Sequence, residues 1–185
     1  MRIERIWAMP NKHTFDIKPI RKLIDEINPG GSSIDPFANK QKIATITNDL
    51  DPQFKTDYNL EALDFMKTVN TEVIDFVLFD PPYSPRQVSE VYKSFGKTVS
   101  METTQSSYWA ILKDEIQRVL KPGGKVISFG WNSNGVGKTR GFRIDRILIV
   151  AHGGNHNDTI CTVETKLQSR LKRTKLSLCA EDETK

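Results

Sequence analysis

The chain has 185 residues, with 27 Lys and Arg against 23 Asp and Glu, for a formal charge of +4. That length supports one domain with a proper core, and the mild charge permits a polyanionic partner without requiring one. The charged start Met1-Arg-Ile-Glu-Arg-Ile-Trp7 argues against a signal peptide, no apolar run reaches membrane-spanning length, and two cysteines, Cys161 and Cys179, make no disulfide framework. A cytoplasmic protein is the expectation.

The first predicted element is an amphipathic helix over residues 18–27, with Pro19 in its first turn and Pro29-Gly30-Gly31 ending it. Ser32-Ser33-Ile34 reads as a short strand running into Asp35-Pro36-Phe37. A second strand covers 43–47 and ends in Asn48-Asp49-Leu50-Asp51. Asn59 can cap a helix over 60–69. The run Val73-Ile-Asp-Phe-Val-Leu-Phe79 then reads as a buried parallel strand.

Ser84-Pro85-Arg86-Gln87 is a helix start, with Val88, Val91, Tyr92 and Phe95 on one face and Gly96 at the end. Residues 97–107 are polar. A stronger helix over 108–120 carries the stripe Trp109, Leu112, Ile116 and Val119, and Lys121-Pro122-Gly123-Gly124 turns it into a strand at 125–130. Residues 142–150 and 158–165 read as two strands joined across Gly153-Gly154, an antiparallel pair at the edge. Strands alternating with helices imply an α/β protein with a mostly parallel sheet.

Asp80-Pro81-Pro82-Tyr83 follows the buried strand. The prolines hold the backbone extended and donate to no neighbour. A carboxylate, a free carbonyl and an aromatic ring are thereby fixed at the carboxyl end of a sheet, the edge where open α/β sheets bind ligands.

These four residues resemble the catalytic motif of the S-adenosylmethionine-dependent amino-methyltransferases, especially the DNA adenine-N6 methyltransferases. The resemblance spans roughly residues 6–166. It implies a Rossmann-like methyltransferase fold over 1–166, with 84–107 as a lid and 167–185 as a basic, then acidic, tail. Leu120-Lys121-Pro122-Gly123-Gly124 resembles the turn before the fifth strand in many methyltransferases. The stretch from Met9-Pro10 to Lys18-Pro19-Ile20 resembles the motif holding the methionine end of the cofactor, and carries Phe15, Asp16 and Lys18 into that role.

Asp35-Pro36-Phe37-Ala38 resembles the opening of the family's cofactor loop, placing Asp35 and Phe37 beside the cofactor. Asn39-Lys40 stand where glycines are expected, and little chain is left for a crossover helix. Either a short link replaces that helix or the strand order is unusual. The ribose acid would be Asp49, with Asp51 as alternate; Glu61 in Glu61-Ala62-Leu63 would sit near the cofactor's adenine amino group. Asp80 and the Pro81 carbonyl would accept from the target amine, with Pro82 holding the turn and Tyr83 stacking on the base. Trp131 would wall the opposite side of that pocket, and Arg86, Lys93 and Lys97 would meet phosphates or simply decorate a helix surface.

The resemblance implies S-adenosylmethionine as cofactor, DNA as substrate and a role such as restriction-modification. Methyl transfer to ribosomal RNA is the alternative, and a catalytically weak DNA-binding accessory subunit is a second class. No separate target-recognition domain is evident, so loose specificity, self-association and a partner subunit supplying recognition are all open; no membrane is expected. Lys166, Arg170, Lys172, Arg173 and Lys175 form either a solvated helix or a phosphate-binding face. Gly135-Val136-Gly137-Lys138-Thr139 mimics the end of a nucleotide-binding loop, but Asn132 stands where its first glycine belongs. His152, His156, Cys161 and Cys179 lack the spacing of a zinc site, and no metal is expected.

Overall fold

The computed structural model describes residues 1–82 and 106–168, the side chains of Ser106 and Ser107 excepted. Its centre is a seven-stranded sheet: β1 (Arg2–Trp7), β2 (Ser33–Asp35), β3 (Ile46–Thr47), β4 (Ile74–Phe79), β5 (Leu120–Gly130), β6 (Phe142–Ala151) and β7 (Thr159–Lys166). The spatial order is β1-β6-β7-β5-β4-β2-β3. Only β7 runs antiparallel to its neighbours, β5 and β6. Helices are α1 (Lys18–Ile27), α2 (Ala62–Thr68) and α3 (Ser106–Val119).

Strand alternation divides the core into two layers. Ile34, Val77, Phe79 and Val126 face α2 and α3, meeting Phe65, Met66, Leu112 and Ile116. Phe76, Leu78, Ile127 and Cys161 face α1, meeting Phe15, Ile20, Leu23 and Ile24. Completely buried side chains such as Phe65 and Phe76 each contribute about 1.5–3 kcal/mol by leaving water.

The elements fall close to the predicted bounds, with four differences. The charged N-terminus forms β1, a parallel strand on the outside of β6, so the antiparallel pair is not at the edge. β3 is only two residues long, because 43–45 approach β2 through side chains: the Thr45 hydroxyl accepts from the Ser33 amide at 2.7 Å. Asn59 does not cap α2, whose N-cap is Glu61; the Asn59 amide donates to the carbonyls of Asp49 and Asp51 instead. The turn at 121–124 lies inside β5 as a bulge, since Leu120 pairs with Ile74 and Lys125 already with Phe76. The predicted helix from Ser84 and the tail beyond Leu167 and Gln168 lie outside the described residues. Lys166 belongs to no solvated or phosphate-binding face: it ends β7 buried, donating to the Leu120 carbonyl at 2.7 Å and to Glu72 at 3.0 Å.

The stretch resembling a nucleotide-binding loop carries an internal anion. The Val136 and Gly137 amides donate to the buried Glu164 carboxylate at 2.6 and 3.0 Å. Gly135 has φ 55°, and a Cβ there would meet the Glu164 carboxyl carbon at 2.5 Å. Gly135→Ala is therefore expected to cost about 2–4 kcal/mol, from left-handed strain plus a displaced buried carboxylate. Urea unfolding checks this, and an unchanged midpoint would contradict it.

Candidate functional site

β2 lies between β3 and β4, and the chain runs outward from β2 to β3 before crossing back to β4. That reversal opens a crevice at the carboxyl ends of β2 and β4, the usual ligand position in such sheets. Ile34 pairs with Val77, which brings Asp35 and the segment Asp80-Pro81-Pro82 to the same edge.

Asp35 is completely buried. By alternation with Ile34 it points to the α1 side. Its Oδ1 accepts from the Phe37 amide at 3.0 Å, and its Oδ2 has no hydrogen-bond partner. Burial raises its carboxyl well above the ordinary range; the Phe37 amide opposes this, and the charges of Asp80 and Asp49 add to it. The Asp80 charge also raises the buried Cys161 thiol, behind the larger effect of burial. By alternation with Phe79, which packs in the α2 and α3 layer, Asp80 falls on the α1 side, half-buried, at the same sheet edge as Asp35.

The link from β2 to β3 contains no helix, as the short spacing allowed. Its amides are consumed one after another. Phe37 donates to Asp35, Ala38 to the Asn48 carbonyl, Asn39 to Asp49 Oδ2, Lys40 to Asn39 Oδ1, and Gln41 to the Ala38 carbonyl. Asn39 takes φ 53°, the left-handed conformation that glycine would otherwise supply and that asparagine tolerates best among other residues. The buried Asn48 ties this loop to the start of α2, donating to the Pro36 and Leu60 carbonyls and accepting from the Leu60 amide, each at 3.0 Å.

Asp49 stands beside the same loop, holding the Asn39 amide at 2.7 Å and the Asp51 amide at 2.9 Å. Burial raises its carboxyl, and those two amides counteract part of the rise. Asp51 is nearly buried and accepts from the Gln53 amide at 2.8 Å. Phe37 is partly buried, edge-on to Phe79 with ring centroids 5.9 Å apart. Glu61 precedes α2, and its charge helps raise the Tyr108 hydroxyl, behind the larger effect of burial.

From the N-terminal side, a 3-10 turn at Thr14–Asp16 leads into α1. Phe15 is core, its ring 5.1 Å from that of Phe129. Asp16 and Lys18 are exposed, and Asp16 accepts from the Gln41 side chain at 2.9 Å. Trp131, 44% exposed, follows β5 at the same carboxyl edge. Tyr83 and Arg86 lie outside the described residues. The fold therefore gathers Asp35, Phe37, Asp49 and Asp80 at one edge, with Asp16 tied to it through Gln41.

Two residues here carried no motif. Gln41 is a loop glutamine with nothing in the sequence to single it out, and Tyr108 read only as the first residue of a helix. His152 is engaged in structure, its ring nitrogens 2.9 Å from the Ala8 carbonyl and the Thr159 hydroxyl. Among the described residues no group of three or more His, Cys, Asp or Glu is placed to hold a metal, and no helix is long and apolar enough to cross a membrane.

No protein-family model matches the chain, and no curated protein is significantly similar to it. Solved structures are similar. TrmN from Thermus thermophilus superposes with a TM-score of 0.52 at 18% identity, over 82% of this chain and 49% of that one. This chain thus spans about half the length of that structure. A SAM-dependent methyltransferase from Archaeoglobus fulgidus gives 0.55 at 10% identity, over 80% and 92%. The 1,6-didemethyltoxoflavin-N1-methyltransferase of Burkholderia thailandensis, with S-adenosylhomocysteine bound, gives 0.52 at 9% identity, over 80% and 76%. The architecture is the Rossmann-like fold of these methyltransferases.

Proposed function

We propose that the chain transfers a methyl group from S-adenosylmethionine to the exocyclic N6 of adenine in DNA. The observation that carries this reading is the placement of Asp80-Pro81-Pro82 at the strand-order reversal, beside the buried Asp35 with its unpartnered Oδ2. A cofactor with an ammonium group, a sulfonium and ribose hydroxyls offers donors and positive charge. Asp35, Asp49 and Asp16 offer carboxyl oxygens to those donors, so the residues present fit the group.

When bound, the cofactor would supply an electrophilic methyl group, carried to the amine nitrogen with the electron pair of the broken C–S bond left on sulfur. This chain's residues prepare the nucleophile. The lone pair of an aromatic amine is delocalised into its ring, and acceptors on its N–H bonds favour the pyramidal nitrogen that attacks. Asp80 and the Pro81 carbonyl are those acceptors, fixed by Pro82. They also stabilise the positive charge that develops on nitrogen, an effect worth about 3–4 kcal/mol for a well-placed group. The surplus proton leaves to solvent after transfer. Tyr83 stacks on the base and Trp131 closes the opposite side, the base having left its duplex at a cost of a few kcal/mol.

One observation favours a second reading, a DNA-binding accessory subunit of low activity. Every amide from Phe37 to Gln41 is already engaged, so this loop presents no ready-made amide cradle. Labelled-methyl transfer onto DNA and RNA side by side, followed by nucleoside identification, tests the choice. N6-methyladenine in DNA is the expected product. Label only in RNA would replace the substrate, and label in neither would favour the accessory subunit.

A further inference from the structure

The consumed amides of the loop after β2 pose a chemical problem, and Gln41 answers it. A glycine loop running into a helix holds a ligand's anionic or polar end with free backbone N–H groups. Here Phe37, Ala38, Asn39, Lys40 and Gln41 all donate within the protein. The loop has no helix behind it and is held instead by Asn48 and Asp49. Recognition of the cofactor's amino-acid end therefore shifts from backbone to side chains.

The exposed Asp16 is the carboxylate on the N-terminal segment that approaches this loop, and its Oδ1 receives the Gln41 side-chain amide at 2.9 Å. Gln41 is itself anchored, its backbone amide donating to the Ala38 carbonyl at 2.9 Å and Ala38 in turn to Asn48. An exposed aspartate at the end of a short 3-10 turn is otherwise free to rotate, and holding it in one rotamer removes an entropic cost from binding.

We infer that Gln41 is a positioning residue, which orients Asp16 to accept from the amino group of S-adenosylmethionine and so does the work of the missing glycine loop. The inference rests on the methyltransferase reading above. Gln41 touches the carboxylate and need not touch the ligand. Its effect should be confined to the amino-acid end, leaving the nucleoside end alone.

The test is calorimetric titration of the full chain, its Gln41→Ala and Gln41→Glu variants and Asp16→Ala. The two ligands are S-adenosylmethionine and 5′-methylthioadenosine, which keeps the nucleoside and lacks the amino-acid end. Gln41→Ala is expected to weaken S-adenosylmethionine about tenfold, the scale of one hydrogen bond to a charged group, while 5′-methylthioadenosine stays within about twofold. Gln41→Glu, which sets a second carboxylate against Asp16, is expected to lose at least as much. Equal weakening of both ligands, or of neither, overturns the role of Gln41. Loss in Asp16→Ala with none in Gln41→Ala overturns the positioning role alone. A wild-type chain that binds neither ligand overturns the methyltransferase reading and this inference with it.

Discussion

Asp80→Ala is expected to lower methyl transfer by about three orders of magnitude or more while leaving the affinity for S-adenosylmethionine within about threefold. The variant removes the acceptor that favours a nucleophilic nitrogen and faces its developing charge. It leaves Asp16, Asp35 and Asp49 in place. The Asp80 charge raises the Asp35 carboxyl, so its loss should bring that carboxyl down. Folding should survive, since Asp80 lies after β4 and the core residues Val77, Leu78 and Phe79 are untouched. Single-turnover transfer, with cofactor binding measured separately, checks the split. Turnover near the wild-type rate would remove Asp80 from the chemistry.

Asp35→Asn is expected to raise stability at neutral pH and to weaken cofactor binding. Burial raises the Asp35 carboxyl well above its ordinary value, and the like charges of Asp80 and Asp49 push the same way. A group raised in the folded state favours folding when protonated. That contribution is fully present below the unfolded value of about 4 and is lost as pH rises through the folded value. At neutral pH, above that unfolded value, the contribution is reduced, so the buried carboxyl costs stability relative to a neutral side chain. Asparagine keeps an acceptor for the Phe37 amide and carries no charge, so Tm should rise by a few degrees at neutral pH. The gain should shrink as pH falls toward 4. Cofactor affinity should drop by an order of magnitude or more in the same variant, because the unpartnered Oδ2 becomes a donor. In the wild type, affinity should rise with pH, since a donor-rich cation favours the ionised form. A variant less stable than wild type at pH 7, or one that binds the cofactor unchanged, would contradict this account of Asp35. A strained site that lowers stability is a common signature of function.

Much of this was legible because local rules agreed with one another. The helix Lys18–Ile27 was readable from its apolar stripe, Pro19 and the Pro29-Gly30-Gly31 stop, and the strand Ile74–Phe79 from its continuous apolar run. Asp80-Pro81-Pro82 follows directly from that strand. Less legible were features set by distant partners. β1 is charged and largely exposed, and only its parallel pairing with β6, some 140 residues away, makes it a strand. β3 is short because Thr45 bonds through its hydroxyl to Ser33 before backbone pairing begins. The unusual loop was flagged by the missing glycines, yet the sequence offered no way to see that Asn39 would take the left-handed position or that Gln41 would reach Asp16. Glu164, an acid in the middle of a buried strand, makes sense only once the amides of Val136 and Gly137 are seen around it.

The departures cluster at the cofactor side of the crevice, and the catalytic side keeps its motif intact. One expectation follows for the whole site. Binding should depend on the carboxylates at 16, 35 and 49 more than on any backbone cradle, and transfer should depend on Asp80. Calorimetric titration of the purified chain with S-adenosylmethionine tests this most directly, in the absence and presence of DNA. The account predicts one saturable site per chain whose affinity increases with pH across the titration of Asp35. No detectable binding in either condition would contradict it and leave the fold without the proposed reaction.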